Sequence, residues 1–441
     1  MNKITKLLIK HFQKHCRTHK VDEWVKKTVE KIIDCAKHNL GYSVYVCPKC
    51  GKLHYVRNTC KAKNCPICSF TATHHWLEQA SDYLLPLPYQ HIVFTLPMFV
   101  RSLFLTNFKL MTKIQFKAIA YALNKFAKTR GVQSYWIATF QFCGSLLNLH
   151  PHIHVIAACG GLSIDEQSLR TFCYYHAKTL STNYTSFFLN SLRRHFLLNH
   201  LVMPKELEHI TSIELYDQFI QTETQKIESL QKQNKPSPHL KFIKVHYPTM
   251  GDPAFKSWNV FAAKVNQVGA PFGYIVRYLH HPPISQHKIV STKHQVTLRM
   301  PDPKTGLFAT FKFSFDEFLS KLLLQFFPKN FHAVRRGGLL ASRFTEKFAL
   351  LKNIVLSQTP KDIVISTLFS IQSQLNKLFH PRKSSCSDCH TPLSWLANIP
   401  SNSYFFTLHP KNTSTFLSQL SDLAVCLLFP SLPLPLIFDS S

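Results

Sequence analysis

A chain of 441 residues with 45% hydrophobic content and 36 phenylalanines can fill two or three cores, which excludes a disordered or low-complexity protein. Its 52 Lys and Arg against 23 Asp and Glu give a formal charge of +29, a self-repulsion that calls for a polyanionic partner. Nucleic acid fits better than a membrane surface, because phosphates take up Lys and Arg with release of counterions and no long basic amphipathic helix is evident.

The first twenty residues mix Lys, His and Leu at helical spacing and do not read as an export signal. The longest apolar run, Leu423 to Phe438, is broken by Pro430, Pro433 and Pro435 and falls short of the roughly 20 residues that span a bilayer. The sequence therefore predicts a cytoplasmic, nucleoid-associated protein with no membrane partner. Its 13 cysteines should be reduced there, so paired spacings read as metal sites before disulfides.

Residues 1–85 open with helices and become a Cys-rich stretch of short elements. Cys47-x2-Cys50 and Cys65-x2-Cys68 are separated by fourteen residues, a spacing that lets two knuckles place four thiolates around one structural zinc ion. Cys60 between the pairs, Cys35 upstream and nearby His54 leave open a ligand exchange or a second metal. Arg57, Lys61 and Lys63, together with Lys49 and Lys52, would give this module a DNA-facing surface. Cys386-x2-Cys389, followed by His390, is half a site that either joins distant residues in a second zinc site or is an ordinary loop pair.

From Tyr89 the pattern becomes β-rich. Strands are predicted at His91 to Pro97, Trp136 to Phe142, His152 to Ala158 and Trp258 to Val265, and a hairpin joins Gln295 to Met300 with Leu307 to Phe313 across PDPKTG. A largely helical insertion at about 165–256 separates the third and fourth strands within a domain spanning 86–345. After Phe315 the chain reads as helical through Leu340 to Leu356, and residues 346–441 as a mainly helical C-terminal region ending in a poorly periodic, Ser/Pro-rich tail. The fold class is α+β.

Two motifs carry chemistry. In His150-Pro151-His152-Ile153-His154, strand alternation sends His152 and His154 to one face and Ile153 and Val155 to the core. Two imidazoles aimed at one point can hold a divalent cation, with His150 as the nearest third ligand. In Phe272-Gly273-Tyr274-Ile275-Val276-Arg277-Tyr278, a helix would put Tyr274 and Tyr278 on one face, one turn apart. A tyrosine attacks phosphate when a metal polarises the phosphoryl oxygens, and Arg277 would offset transition-state charge.

Taken in order, CPKCG and NTCKAKNCPIC (Cys47 to Cys68), VFTLP (Val93 to Pro97), HPHIHVI with GGL (Gly160 to Leu162), YIVRYLHHPPIS (Tyr274 to Ser285) and FHAVRRGGLLASR (Phe331 to Arg343) resemble the bacterial rolling-circle insertion-sequence transposases with two tyrosines, of the His-hydrophobic-His (HUH) nuclease superfamily. The likeness covers about residues 35 to 345. It implies an N-terminal zinc-binding domain and a nuclease domain with an antiparallel sheet flanked by helices. It also implies Mg or Mn on His152 and His154, and 5′-phosphotyrosine links at Tyr274 and Tyr278. Single-stranded DNA at element ends and target DNA would be the substrates, with Arg335 and Arg336 among the DNA contacts. The chain has no P-loop, so host helicase or replication would supply single strands. A DNA-binding remnant without chemistry and a relaxase or replication initiator are the competing readings.

Overall fold

The computed structural model describes residues 2–62, 64–68, 83–144, 147–232, 260–265, 284–302, 307–328, 330–360, 385–399 and 407–408. The chain opens with α1 (Lys3–Thr18), whose N-cap Asn2 accepts a hydrogen bond from Ile4 N, and α2 (Glu23–Lys37), which His38 ends in the left-handed conformation. The hairpin β1 (Tyr42–Val46) and β2 (Leu53–Arg57) follows, and then β3 (Tyr89–Thr95). Two helices, α3 (Arg101–Thr106) and α4 (Phe108–Thr129), lead to the long strands β4 (Val132–Cys143) and β5 (Leu149–Ser163) and the short β6 (Leu169–Thr171). Next come α5 (Ala177–Leu197), α6 (Ile213–Lys232), β7 (Val260–Val265), β8 (Ile289–Ser291), β9 (Val296–Pro301) and β10 (Phe308–Phe313). The remaining elements are α7 (Phe315–Leu323), β11 (Val334–Gly338), α8 (Thr345–Gln358), β12 (Ser394–Ile399) and β13 (Thr407–Leu408). Helices and antiparallel sheets make this the α+β class that the sequence predicts.

The central sheet runs β11-β4-β5-β3-β7, with β6 on β5. Its two faces are used differently. Ile92, Phe94, Ala138, Phe140, Ile153 and Val155 face α4 and α5, where Phe104, Phe108, Phe327 and Phe331 join Phe140 in an aromatic cluster with neighbouring ring centroids 4.8–6.2 Å apart. The fully buried rings of Phe104 and Phe140 each contribute about 1.5–3 kcal/mol by burial. On the opposite face, Tyr89, Tyr135, Ile137, Ile156 and Ala158 are covered by Leu351 and Val355 of α8. That helix occupies one end of the face, and the histidines of β5 lie toward the other.

The structure departs from the sequence reading in three places. The hairpin β9–β10 forms, but in a separate sheet with β8, and its apolar face shares one core with α1, α2 and α7. The stretch read as helical after Phe315 is interrupted by β11, because FHAVRRGG finds a free edge on β4 and its two glycines fit against that strand. In the C-terminal region, α8 is helical as expected, but β12 and β13 return to the N-terminal hairpin in the order β13-β12-β1-β2. A pairing across some 350 residues leaves no local periodicity to read. The helical insertion contains α5 and α6; its remainder, 233–256, lies outside the described residues. Among those described, no helix is long and apolar enough to cross a membrane.

Gly161 of GGL and both glycines of RRGGLL lie where β4 passes closest, while Gly160 lies against β6. A Cβ on Gly161 would come 2.1 Å from the carbonyl oxygen of Gln133, and one on Gly337 would meet the Trp136 ring at 2.0 Å. Backbone cannot swing aside as a side chain can. Gly161→Ala is therefore expected to cost about 1–3 kcal/mol and to lower the thermal midpoint; an unchanged melt would contradict the β4–β5 register.

Candidate functional site

Strand pairing assembles the site. Thr95 of β3 and Gln141 of β4 flank His152, while Val93 and Thr139 flank His154. Directly opposed residues share a face, so these side chains and both imidazoles lie on the side away from α4. His150, whose direction Pro151 left open in the sequence, has its ring 5.1 Å from that of His152, and His152 is 4.9 Å from His154. Pro151 is tolerated because it falls at the bulge between Gln141 and Cys143, where the ladder is already broken.

A fourth imidazole extends the row. His91 of β3, two residues from Val93, places Nε2 3.0 Å from Nδ1 of His154, with the rings 5.2 Å apart and nearly parallel. This residue escaped the sequence reading, which placed it only at the start of a strand. Its signal was a histidine at an otherwise apolar strand position, meaningful only once the β3–β5 register is known. Arg101 at the start of α3 was also missed; it donates to the carbonyls of Leu149 and Leu96 at 3.3 and 3.4 Å and sets a partly buried positive charge beside His150 and His152.

Burial dominates the electrostatics. It pushes His91 and His150 down to about 3 and His152 to about 4, and holds His154 well below the usual imidazole value, with neighbouring histidines adding to the effect at His91, His150 and His154 and Arg101 adding to it at His152. All four are neutral at pH 7, the form that binds metal. Nδ1 of His152 lies 2.6 Å from the His150 carbonyl, so it donates there and Nε2 becomes the ligating nitrogen. Imidazole donors with Gln and Thr oxygens on the same face fit Mn better than Mg, which prefers oxygen alone. The row is extended, however. Among the described residues, three or more ligand atoms come within 4.8 Å of one another in two cysteine tetrads and in His15, His19 and Asp316, but not in this row.

The cysteines regroup relative to the sequence reading. Cys47, Cys50, Cys65 and Cys68 do not surround one ion. Cys35, Cys60, Cys65 and Cys68 form one tetrad, and Cys47 and Cys50 join Cys386 and Cys389 in another. The reason is the β1–β2 hairpin. Its turn carries Cys47 and Cys50, whereas Cys60, Cys65 and Cys68 follow its open end, where α2 delivers Cys35; five-residue strands separate the two ends by about 15 Å. In the first tetrad Cys68 Sγ is 3.5 Å from both Cys35 and Cys60, too long for a disulfide and close to the roughly 3.8 Å edge that Zn–S bonds of about 2.3 Å produce. These clusters have the composition of structural zinc sites.

Of the predicted DNA contacts, Arg57 and Lys61 are exposed beside the first tetrad, with Arg57 against His38. Arg336 is exposed over Tyr83, but Arg335 turns to the α4 face and lies 4.1 Å from the centre of the Phe116 ring. That placement gives Arg335 a packing contact on the face opposite the histidines. Tyr274, Tyr278, Arg277 and Lys63 lie outside the described residues.

Two family models match the chain: one described as "Transposase zinc-binding domain" over residues 7–96, and one described as "Putative transposase" over residues 136–347. The chain is 27% identical to the transposase for insertion sequence element IS801 of Pseudomonas savastanoi pv. phaseolicola, over 76% of each chain. It is 25% identical to the putative transposase y4qJ of Sinorhizobium fredii (strain NBRC 101917 / NGR234), over 81% of this chain and 84% of that one. No solved structure matches.

The depressed histidines make a pH prediction. With folded values near 3 and 4 against an unfolded value of about 6.5, the unfolded chain binds more protons across that window. Stability is complete above about pH 6.5 and is lost as pH falls, at about 1.4 kcal/mol per pH unit for each histidine. Urea midpoints of His91→Asn should decline less steeply with acidification than those of the wild type; parallel curves would show that His91 is not held neutral by the fold.

Proposed function

We propose that this chain, which matches transposase family models over residues 7–96 and 136–347, is an insertion-sequence transposase that nicks and rejoins single-stranded DNA at element ends through 5′-phosphotyrosine intermediates, in rolling-circle-type transposition. The observation that carries this reading is the row of neutral imidazoles at one end of the sheet face, beside the partly buried Arg101 cation. A buried anionic centre would repel a phosphodiester; this one is uncharged apart from a cation.

His152 and His154 are the residues that would hold Mn or Mg, with His150 at the end of the row. When bound there, the ion would supply Lewis-acid polarisation of the phosphoryl oxygens. The protein does the rest. His91 orients His154, as a partner on the second ring nitrogen does in metal sites generally. Arg101 offsets the charge that develops on the non-bridging oxygens. Tyr274 or Tyr278 is the nucleophile: its phenol oxygen bonds to phosphorus as the bond to the 3′ oxygen breaks, the phenolic proton passes to solvent, and the departing oxygen takes up a proton. The ester keeps the bond energy, so a free 3′-hydroxyl can reverse the step without a nucleotide cofactor. A second tyrosine lets a second strand be cut before the first is released.

The zinc-binding module, with Arg57, Lys61 and Lys63, would contact the same DNA. Arg277 and Arg336 are further candidates for phosphate contacts. Host helicase or replication would supply the single strands, and the protein would act in the cytoplasm at the nucleoid.

The test is incubation of the full chain with labelled single-stranded oligonucleotides from its element's ends, with Mn or Mg, followed by denaturing electrophoresis. A covalent adduct is expected in the wild type and should be lost in His152→Ala and in the Tyr274→Phe/Tyr278→Phe double variant. In Arg101→Gln the adduct should form about a hundredfold more slowly, the low end for a single electrostatic group. Binding without an adduct under either metal would overturn the reading.

A further inference from the structure

The second cysteine tetrad reaches beyond the module that the zinc-binding domain model covers, since residues 7–96 include Cys47 and Cys50 but not Cys386 and Cys389. The two contributing loops have the same backbone construction. Cys47 N donates to Lys52 O at 3.0 Å and Cys386 N to Thr391 O at 2.8 Å, each five residues ahead. Gly51 N returns to Cys47 O at 2.9 Å and His390 N to Cys386 O at 3.1 Å, each four residues back. Gly51 and His390 both have positive φ, 73° and 56°. Two copies of one knuckle, far apart in sequence, face each other.

Their sulfurs meet. Cys47 Sγ lies 3.2 Å from Cys389 Sγ, and Cys50 Sγ lies 3.6 Å from the sulfurs of both Cys386 and Cys389. The rest of the contact holds the loops together independently of any metal. Strand β12 pairs with β1 from Val46↔Ser394 onward, beside both knuckles, Leu396 is fully buried, and Lys52 Nζ meets Asp388 Oδ2 at 2.8 Å.

We propose that Cys47, Cys50, Cys386 and Cys389 form a second tetrathiolate zinc site that closes the N-terminal module with the C-terminal segment, so that the module is complete only when residues 385–399 have docked. Four protein sulfurs leave no position for water, so the site is structural. On binding, the four thiols give up their protons to solvent and the zinc tetrathiolate carries a net charge of −2, next to the exposed Lys49 and Lys52. The two sites differ in access. Cys35, Cys65 and Cys68 are all buried, whereas Cys50 is exposed and Cys389 half-buried. The closing site should therefore lose its metal first.

The experiment is metal analysis of the full chain purified without chelator. Two zinc ions per chain are expected in the wild type, and one in both Cys47→Ser/Cys50→Ser and Cys386→Ser/Cys389→Ser. The quadruple variant should also keep one, because both pairs serve the same ion. One zinc in the wild type, iron in place of the second zinc, or two zinc ions retained without Cys386 and Cys389 would overturn the proposal. If the variants fail to fold, stepwise zinc removal from the wild type with alkylation and peptide mass mapping decides the matter. Cys47, Cys50, Cys386 and Cys389 should become reactive together and before Cys35, Cys60, Cys65 and Cys68; release of Cys386 and Cys389 independently of Cys47 and Cys50 would count against a shared ion.

Discussion

The register of β5 between β4 and β3 is the constraint on which the rest depends. With His152 set between Gln141 and Thr95, and His154 between Thr139 and Val93, Ile153 and Val155 enter the core against α4. A slip by one residue would exchange the two sets, driving imidazoles into the aromatic cluster and aliphatic side chains out of it. The register is thus enforced by Ile153 and Val155, each contributing about 1.5–3 kcal/mol when buried, and the histidines inherit their positions. The fold can in this way hold several desolvated imidazoles side by side, because the stabilisation that fixes the strand comes from its other face.

The histidine face is divided between packing under α8 and the row of imidazoles. At its far end, the Tyr89 and Tyr135 hydroxyls hydrogen-bond each other at 2.6 Å beneath α8, and burial raises both phenols well above their ordinary range. They stay protonated, which makes them structural and unsuited to nucleophilic attack. The glycines of the two GG motifs likewise serve close approach between strands, Gly160 to β6 and Gly161, Gly337 and Gly338 to β4. Several motifs that suggested a transposase in the sequence are therefore recognisable because they fix the sheet.

Period-two alternation made His152 and His154 legible from the sequence, since it needs only the strand itself. The main strands of the central sheet and the β9–β10 hairpin could be read for the same reason. Whatever depended on pairing between distant segments could not. His91 meets His154 only through the β3–β5 register, and Arg101 reaches the site from a helix that lies 48 residues before Leu149. The cysteine spacing pointed to zinc but left its partners open. Spacing measures separation along the chain, and a hairpin of two five-residue strands turns a fourteen-residue gap into opposite ends of a sheet.

The first cysteine tetrad and the histidine strand are not independent structures. Cys65 and Cys68 belong to the same buried cluster as α1, α2, α7 and Leu147, and Leu147 lies three residues before His150 in the loop that enters β5. Asn64, adjacent to Cys65, donates to the carbonyl of Gln325 at 2.9 Å, just after α7. A metal bound by these thiolates would tie the loops further, because each Zn–S bond removes freedom that the loop would otherwise retain. A structural zinc here would therefore organise more than its own knuckles. By holding the core into which Leu147 inserts, it would steady the approach to Pro151 and the bulge, where the alternation of β5 must be correct before His150, His152 and His154 can share a face.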